Sequence, residues 1–186
     1  MQKPTGWKGV NMPLTDSIGD DLRVMAEGVA TAQQGVAGVD HAVEQIAARA
    51  AGAGFAGIAV GLARVREQVG QVRARLSTVG GILGEASRSV SAVPQQPSPQ
   101  EAIAALAPLV AALAAVDGAV EVAAAGIEEA RRLVAAVLQG GQPGPTLARL
   151  LQVRQGLAAV RARGGEARQH VEAALAQARQ VGDLGN

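Results

Sequence analysis

Apolar residues recur along this chain in alternating steps of four and three. From Ile18 the series runs through Leu22, Met25, Val29, Ala32, Val36, Val39, Val43 and Ile46 to Ala50. Such steps average 3.5 residues, close to the 3.6 of an α-helical turn, so these side chains share one helix face. A strand would need a period of two, and that alternation is missing throughout. Three further series follow. One runs from Ile58 through Leu62, Val65, Val69, Val72, Leu76, Val79, Leu83, Ala86 and Val90 to Val93. The next runs from Leu106 through Leu109, Leu113, Val116, Val120, Ala123, Ile127, Ala130 and Val134 to Val137. The last runs from Leu150 through Val153, Leu157, Val160, Gly164, Ala167, Val171, Ala174 and Ala178 to Val181. The pattern predicts an all-α fold: four long helices in two tandem antiparallel hairpins with coiled-coil seams. At about 35 residues and 1.5 Å per residue, each helix is ~50 Å long. The hairpins pack either side by side as a bundle or end to end as a rod.

Breaks between the series give the organisation. Residues 1–14 read as a flexible leader, and the first helix is expected to start near Asp16 or Ser17, with Ser17 and Asp20 as a capping box. "AGAGFAG" at 51–57 is a hairpin loop, so 15–93 form the first hairpin. "PQQPSPQ" at 94–100 is a linker, because its prolines forbid a continuing helix. Ser98, Pro99 and Glu101 form a second helix start, Pro108 is expected to kink the third helix, and "QGGQPGP" at 139–145 breaks the chain again. The second hairpin then covers 101–182, with 183–186 as a tail.

The two hairpins echo one another. "VDHAVE" at 39–44 returns as "VDGAVE" at 116–121, and "VRAR" at 72–75 returns at 160–163. A shift of 77 carries the first seam onto the third, and a shift of 88 carries the second onto the fourth. The words keep heptad phase, which points to a duplicated hairpin with 11 residues inserted around the second loop. Glycines suggest close helix crossings at Gly57 and Gly61 and at Gly80 and Gly84.

Composition narrows the chemistry. The 186 residues include one Phe, one Trp, no Tyr and no Cys, which excludes disulfides, thiol catalysis and cysteine metal sites. A core of Ala, Val and Leu is thin and suits closely packed helices. The net charge of +1 gives no bulk attraction to nucleic acid or membrane. Arginines concentrate on the second helix (Arg64, Arg66, Arg73, Arg75, Arg88) and the fourth (Arg149, Arg154, Arg161, Arg163, Arg168, Arg179). Acids concentrate on the first (Asp16, Asp20, Asp21, Glu27, Asp40, Glu44) and the third (Glu101, Asp117, Glu121, Glu128, Glu129). The alternation predicts ion pairs across each hairpin that set partner and register. Nucleic-acid binding would also want stacking aromatics, which are lacking.

No catalytic, cofactor-binding or metal site is expected. "GAGFAG" at 52–57 spells G-x-G-x-x-G, but a helix precedes it and the next acid, Glu67, comes too early for a dinucleotide fold. His41 and His170 read as solvated surface residues; Glu166 lies one turn before His170 but no second Glu-x-x-His set accompanies it. No G-x-S-x-G occurs. The apolar run 102–116 has 15 uncharged residues and contains Pro108, short of the ~20 that span a bilayer. Neither a transmembrane segment nor a small-molecule substrate is expected. The leader is not a secretory signal peptide, so the expected location is cytoplasmic, or outside by a route without a cleaved signal.

"GFAGIAVGLARVREQVGQV", "AVLQGGQPGPTLARLLQVRQGL" and "GGEARQHVEAALAQARQ" resemble segments of an uncharacterised family of small helical actinobacterial proteins. They are also similar to the helical N-terminal regions of some actinobacterial polymorphic toxins, deaminase toxins among them. The resemblance covers roughly residues 15–181. It implies a helical module for export, trafficking or partner binding, without catalysis of its own. "TGWKG" at 5–9 carries a W-x-G like that of helical-hairpin substrates of type VII secretion, but Trp7 precedes the first helix instead of joining two. The expected function is a non-enzymatic interaction module that contacts a protein partner or a second copy through helix faces. A rod or filament protein is the alternative, and a nucleic-acid or membrane-surface binder using the arginine-bearing helices is another.

Overall fold

The computed structural model describes residues 12–94, 97–139, 141 and 143–184. Four α-helices account for it: α1 (Met12–Gly52), α2 (Ala56–Ser91), α3 (Pro99–Val137) and α4 (Gly144–Leu184). Each helix packs against two others, in the order α1, α2, α3, α4 and back to α1. The hairpins therefore lie side by side as a four-helix bundle. Every packed pair is antiparallel, so the chain runs up, down, up, down. Both hairpin loops cap one end, and the linker between the hairpins lies at the other.

The seams form the core. Ile18, Leu22, Met25, Val29, Val36, Val39 and Val43 of α1 are buried, as are Leu62 to Val90 of α2, Leu106 to Val134 of α3, and Leu150, Leu157, Ala167 and Val171 of α4 at their seam positions. Leu175 is also buried, off the seam. Stripe burial of this kind gains roughly 25 cal/mol per Å² of apolar surface. With so few aromatics, that gain comes from many small contacts in series.

Two boundaries differ from the sequence expectation. Helix α1 starts at Met12 instead of near Ser17. Leu14, four residues before Ile18, packs against the core and extends the seam, and Pro13 in the first turn lacks only an N–H that would have no helical partner there. Ser17 and Asp20 thus lie inside the helix, and Asp20 pairs with Arg23 instead of capping. Helix α4 likewise runs to Leu184, past the expected tail boundary. At α3 the expected start is realised. The Ser98 hydroxyl accepts from the Glu101 N–H at 3.3 Å, and the Ser98 N–H donates to the Glu101 carboxylate at 2.8 Å. That contact holds the Glu101 carboxyl below its usual range. Helix α3 continues through Pro108. Pro108 and Ala104 are exposed, so the carbonyl that Pro108 leaves without a helical donor faces water.

The first hairpin turns in three residues. The Phe55 N–H donates to the Ala50 carbonyl at 2.8 Å and the Gly54 N–H to the Ala51 carbonyl at 3.1 Å. These two bonds, with Gly54 at φ +83°, make a Schellman turn, whose left-handed residue is best filled by glycine. This is the role of the G-x-G-x-x-G string.

The inserted residues act mainly through helix length. Shifted by 77, the end of α1 at Gly52 falls on Glu129, yet α3 runs on to Val137. Shifted by 88, the start of α2 at Ala56 falls on Gly144, the start of α4. Most of the insertion is thus about two extra turns of α3. The consequence is a slip in pairing. Arg66 bridges Asp40 at 3.1 Å and Glu44 at 3.5 Å. Their equivalents Asp117 and Glu121 are bridged by Arg161, at 2.8 and 3.1 Å, and not by Arg154, the repeat equivalent of Arg66. The displacement is one heptad, so the seam stays in phase.

Candidate functional site

Two kinds of contact hold the helices, and they are segregated. Within each hairpin, arginine–carboxylate pairs bridge the flanks of the seam, as the alternating charge predicts: Arg66 in the first, Arg154 with Glu128 at 2.6 Å and Arg161 in the second. The carboxylates hold the Arg66 and Arg161 guanidiniums above their ordinary pKa, and the Arg154 hydrogen bond holds the Glu128 carboxyl below its own. Arg64, Arg73, Arg75 and Arg179 make no ion pair among the described residues.

Between the hairpins, glycines receive valines. A Cβ on Gly28 would stand 2.5 Å from Val160 Cγ2, and one on Gly35 would stand 2.5 Å from Val153 Cγ2. On the other side of the bundle, Gly61 faces Val137 at 2.6 Å and Gly126 faces Val72 at 2.7 Å. Only Gly61 among the expected crossing glycines plays this part. Gly57 and Gly84 meet nothing within 4 Å, and Gly80 only the end of Gln33 at 3.9 Å. The sequence signal that would have found the others is their seam-flanking position against valines on helices 54 to 132 residues distant, which needs the bundle geometry to interpret.

A polar clasp crosses the same interface. Asp21 on α1 is 4% exposed. Its carboxylate meets His170 Nδ1 at 2.7 Å and Arg163 Nη1 at 3.2 Å, both on α4. Arg163 also holds Glu166 at 2.6 Å. His170, with its side chain 38% exposed, also serves as one of two partners of a buried carboxylate that lies beside the seam at Leu22. Arg149 adds a donor to the Gly38 carbonyl at 3.3 Å. His41 is exposed and contacts Gln45 at 3.0 Å, as expected. Among the described residues, no three His, Asp or Glu side chains gather into a metal-binding set.

The surface clefts are open furrows. One of about 280 Å³ runs between α3 and α4, floored by Ala124, Leu157 and Ala158 and rimmed by Glu128–Arg154 and Glu121–Arg161. Another of about 720 Å³ lies between the start of α1 and the linker, beside Asp16, Asp20, Arg23 and Pro94.

Helix α3 carries the most distinctive surface. Ala104, Pro108, Ala111, Ala115, Gly118, Val122 and Ala125 are all exposed and follow the same four–three steps as the buried seam. The helix thus has a second heptad stripe, uncharged and facing outward. The corresponding faces of α1, α2 and α4 are interrupted by Asp20, Arg23 and Glu27, by Arg64, Glu67 and Arg75, and by Arg161, Glu172 and Arg179. Helix α3 is also long and apolar enough, by length and composition, to cross a membrane, with a window of mean hydropathy 2.1. The 15-residue count understated it, because Asp117 alone interrupts a longer apolar stretch. Its other face is taken up by the bundle core.

Trp7 and the other leader residues before Met12 lie outside the described residues. A search of curated proteins and of solved structures finds no match to the chain. Residues 97–183, the α3–α4 hairpin, match a family described as "Family of unknown function (DUF6244)".

Proposed function

We propose that this chain is a non-enzymatic helical interaction module that binds another protein, a second copy of itself included, through a helix face. The observation that supports it is the outward stripe of α3. Small apolar side chains at heptad spacing let another helix approach closely and bury its own stripe, and the face carries no charge from Ala104 to Gly118. The core needs no further helix, since the seams already close on one another, so the stripe is available to a partner. The likeness of the actinobacterial and toxin segments supports a finer reading, an accessory or trafficking component of a toxin-export system acting in the cytoplasm or after signal-less export.

Light scattering after size-exclusion chromatography tests the reading, with a pull-down from the native host. A defined dimer or a single captured partner, lost in an Ala115→Glu variant that melts like the parent, is the expected result. Association that Ala115→Glu leaves unchanged sinks it. Open-ended assembly would favour a filament protein instead.

A further inference from the structure

The loop end of the bundle is built from two uncharged segments. No Asp, Glu, Lys or Arg occurs in residues 50–63 or 133–148, the two segments that contain the hairpin loops. Phe55, the chain's one phenylalanine, is 60% exposed there, and Val60 beside it is 61% exposed. A large apolar side chain held out to water by a rigid Schellman turn gains nothing for the fold.

Moving from this tip into the bundle, the first charged residue on every helix is an arginine: Arg49 on α1, Arg64 on α2, Arg132 on α3 and Arg149 on α4. All four are exposed. At 1.5 Å per residue they lie about 5 to 12 Å from their helix ends. Among the described residues, Arg132 alone of the four has a carboxylate partner, Glu129 at 3.0 Å, while Arg49 and Arg149 donate to backbone carbonyls. At the opposite end the first charged residues are acids on α1 and α3, Asp16 and Glu101, and an arginine, Arg88, on α2. A net charge of +1 therefore hides an axial separation, positive around the apolar tip.

We propose that the loop end docks on an anionic lipid bilayer, with Phe55 and Val60 entering the interface and the arginine collar meeting the headgroups. Apolar groups reach about 5–10 Å into the headgroup boundary in interfacial binding, which matches the depth at which the collar begins. Anionic lipid complements the four arginines, and the missing acids remove the repulsion that would oppose it. This surface is separate from the α3 stripe, so the two readings stand or fall independently.

Co-sedimentation with vesicles of phosphatidylcholine, with and without phosphatidylglycerol, tests it. The full chain binds the anionic vesicles, and binding weakens as salt rises. Phe55→Ser lowers the partition coefficient about tenfold, and each of Arg49→Gln, Arg64→Gln and Arg149→Gln lowers it about fivefold. In a Phe55→Trp variant with Trp7→Phe, the fluorescence shifts to the blue on adding anionic vesicles only. No binding to anionic vesicles overturns the proposal. So does binding that Phe55→Ser leaves intact while Ala115→Glu abolishes it, which would place the membrane on α3. If Phe55→Ser instead changes the oligomeric state without lipid, the tip is a protein contact and the proposal fails.

Discussion

Val160 Cγ2 sits 2.5 Å from the point where a Cβ on Gly28 would stand. Real Cβ contacts are not made at that distance, so the valine occupies the space of the missing side chain. Gly35 and Val153 repeat the arrangement one heptad away in the opposite chain direction. Two glycines in a helix interior each cost about 1 kcal/mol relative to alanine, and the close fit of α1 on α4 is what offsets that cost.

Gly28→Ala and Gly35→Ala should therefore destabilise the protein by about 1–3 kcal/mol, since overpacking outweighs the gain in helix propensity. Gly84→Ala and Gly118→Ala, where nothing stands within 4 Å, should stabilise by up to ~1 kcal/mol. Urea midpoints at constant m-value check both signs. A stabilising Gly28→Ala would show that the hairpins do not pack at this distance.

The buried Asp21 carboxylate meets two partners on α4, Arg163 and His170. Removing both partners, with Arg163→Ala and His170→Ala, strands the carboxylate and should cost roughly 3–5 kcal/mol. Adding Asp21→Leu to that pair should recover most of the loss, because the site is then apolar. Chemical denaturation of the double and triple variants measures it; no recovery would mean that the clasp acts through something other than the buried charge.

Arg161 bridges Asp117 and Glu121 at the surface, 47% exposed. Exposed pairs are worth at most about 1 kcal/mol. Arg161→Ala should therefore cost less than any of the packed-glycine variants, and the loss should shrink in high salt. A loss larger than that of Gly28→Ala in the same denaturation series would reverse the ranking of charge and packing argued for this bundle.

The second hairpin carries the acid sensitivity. Arg154 holds the Glu128 carboxyl below its usual range, and Ser98 does the same for Glu101. A depressed carboxylate stabilises the fold above the unfolded-state value, about 4.3, and the contribution is lost as pH falls through the folded-state value. Stability should thus drop below about pH 5, and drop less in Glu128→Gln with Glu101→Gln. Thermal melts across that range decide it; an unchanged acid slope in the double variant would place the sensitivity elsewhere.

The helices, their buried faces and the cap at Ser98 followed from the chain alone, because a 3.5-residue period and local capping chemistry need no information from distant residues. Charge alternation likewise foretold the flanking pairs of each hairpin. The packing of hairpin on hairpin did not follow. Seams fit either a bundle or a rod, and only the bundle brings Gly28 to Val160, Gly126 to Val72 and Asp21 to His170. The one-heptad slip that gives Asp117 to Arg161 had the same cause: the repeat fixes phase, whereas the length added to α3 sets which turn of α4 lies opposite. The loop end shows the division once more. The uncharged segments 50–63 and 133–148 can be read from the letters, but they become one surface, ringed by four arginines, only when the two hairpins stand side by side and point the same way.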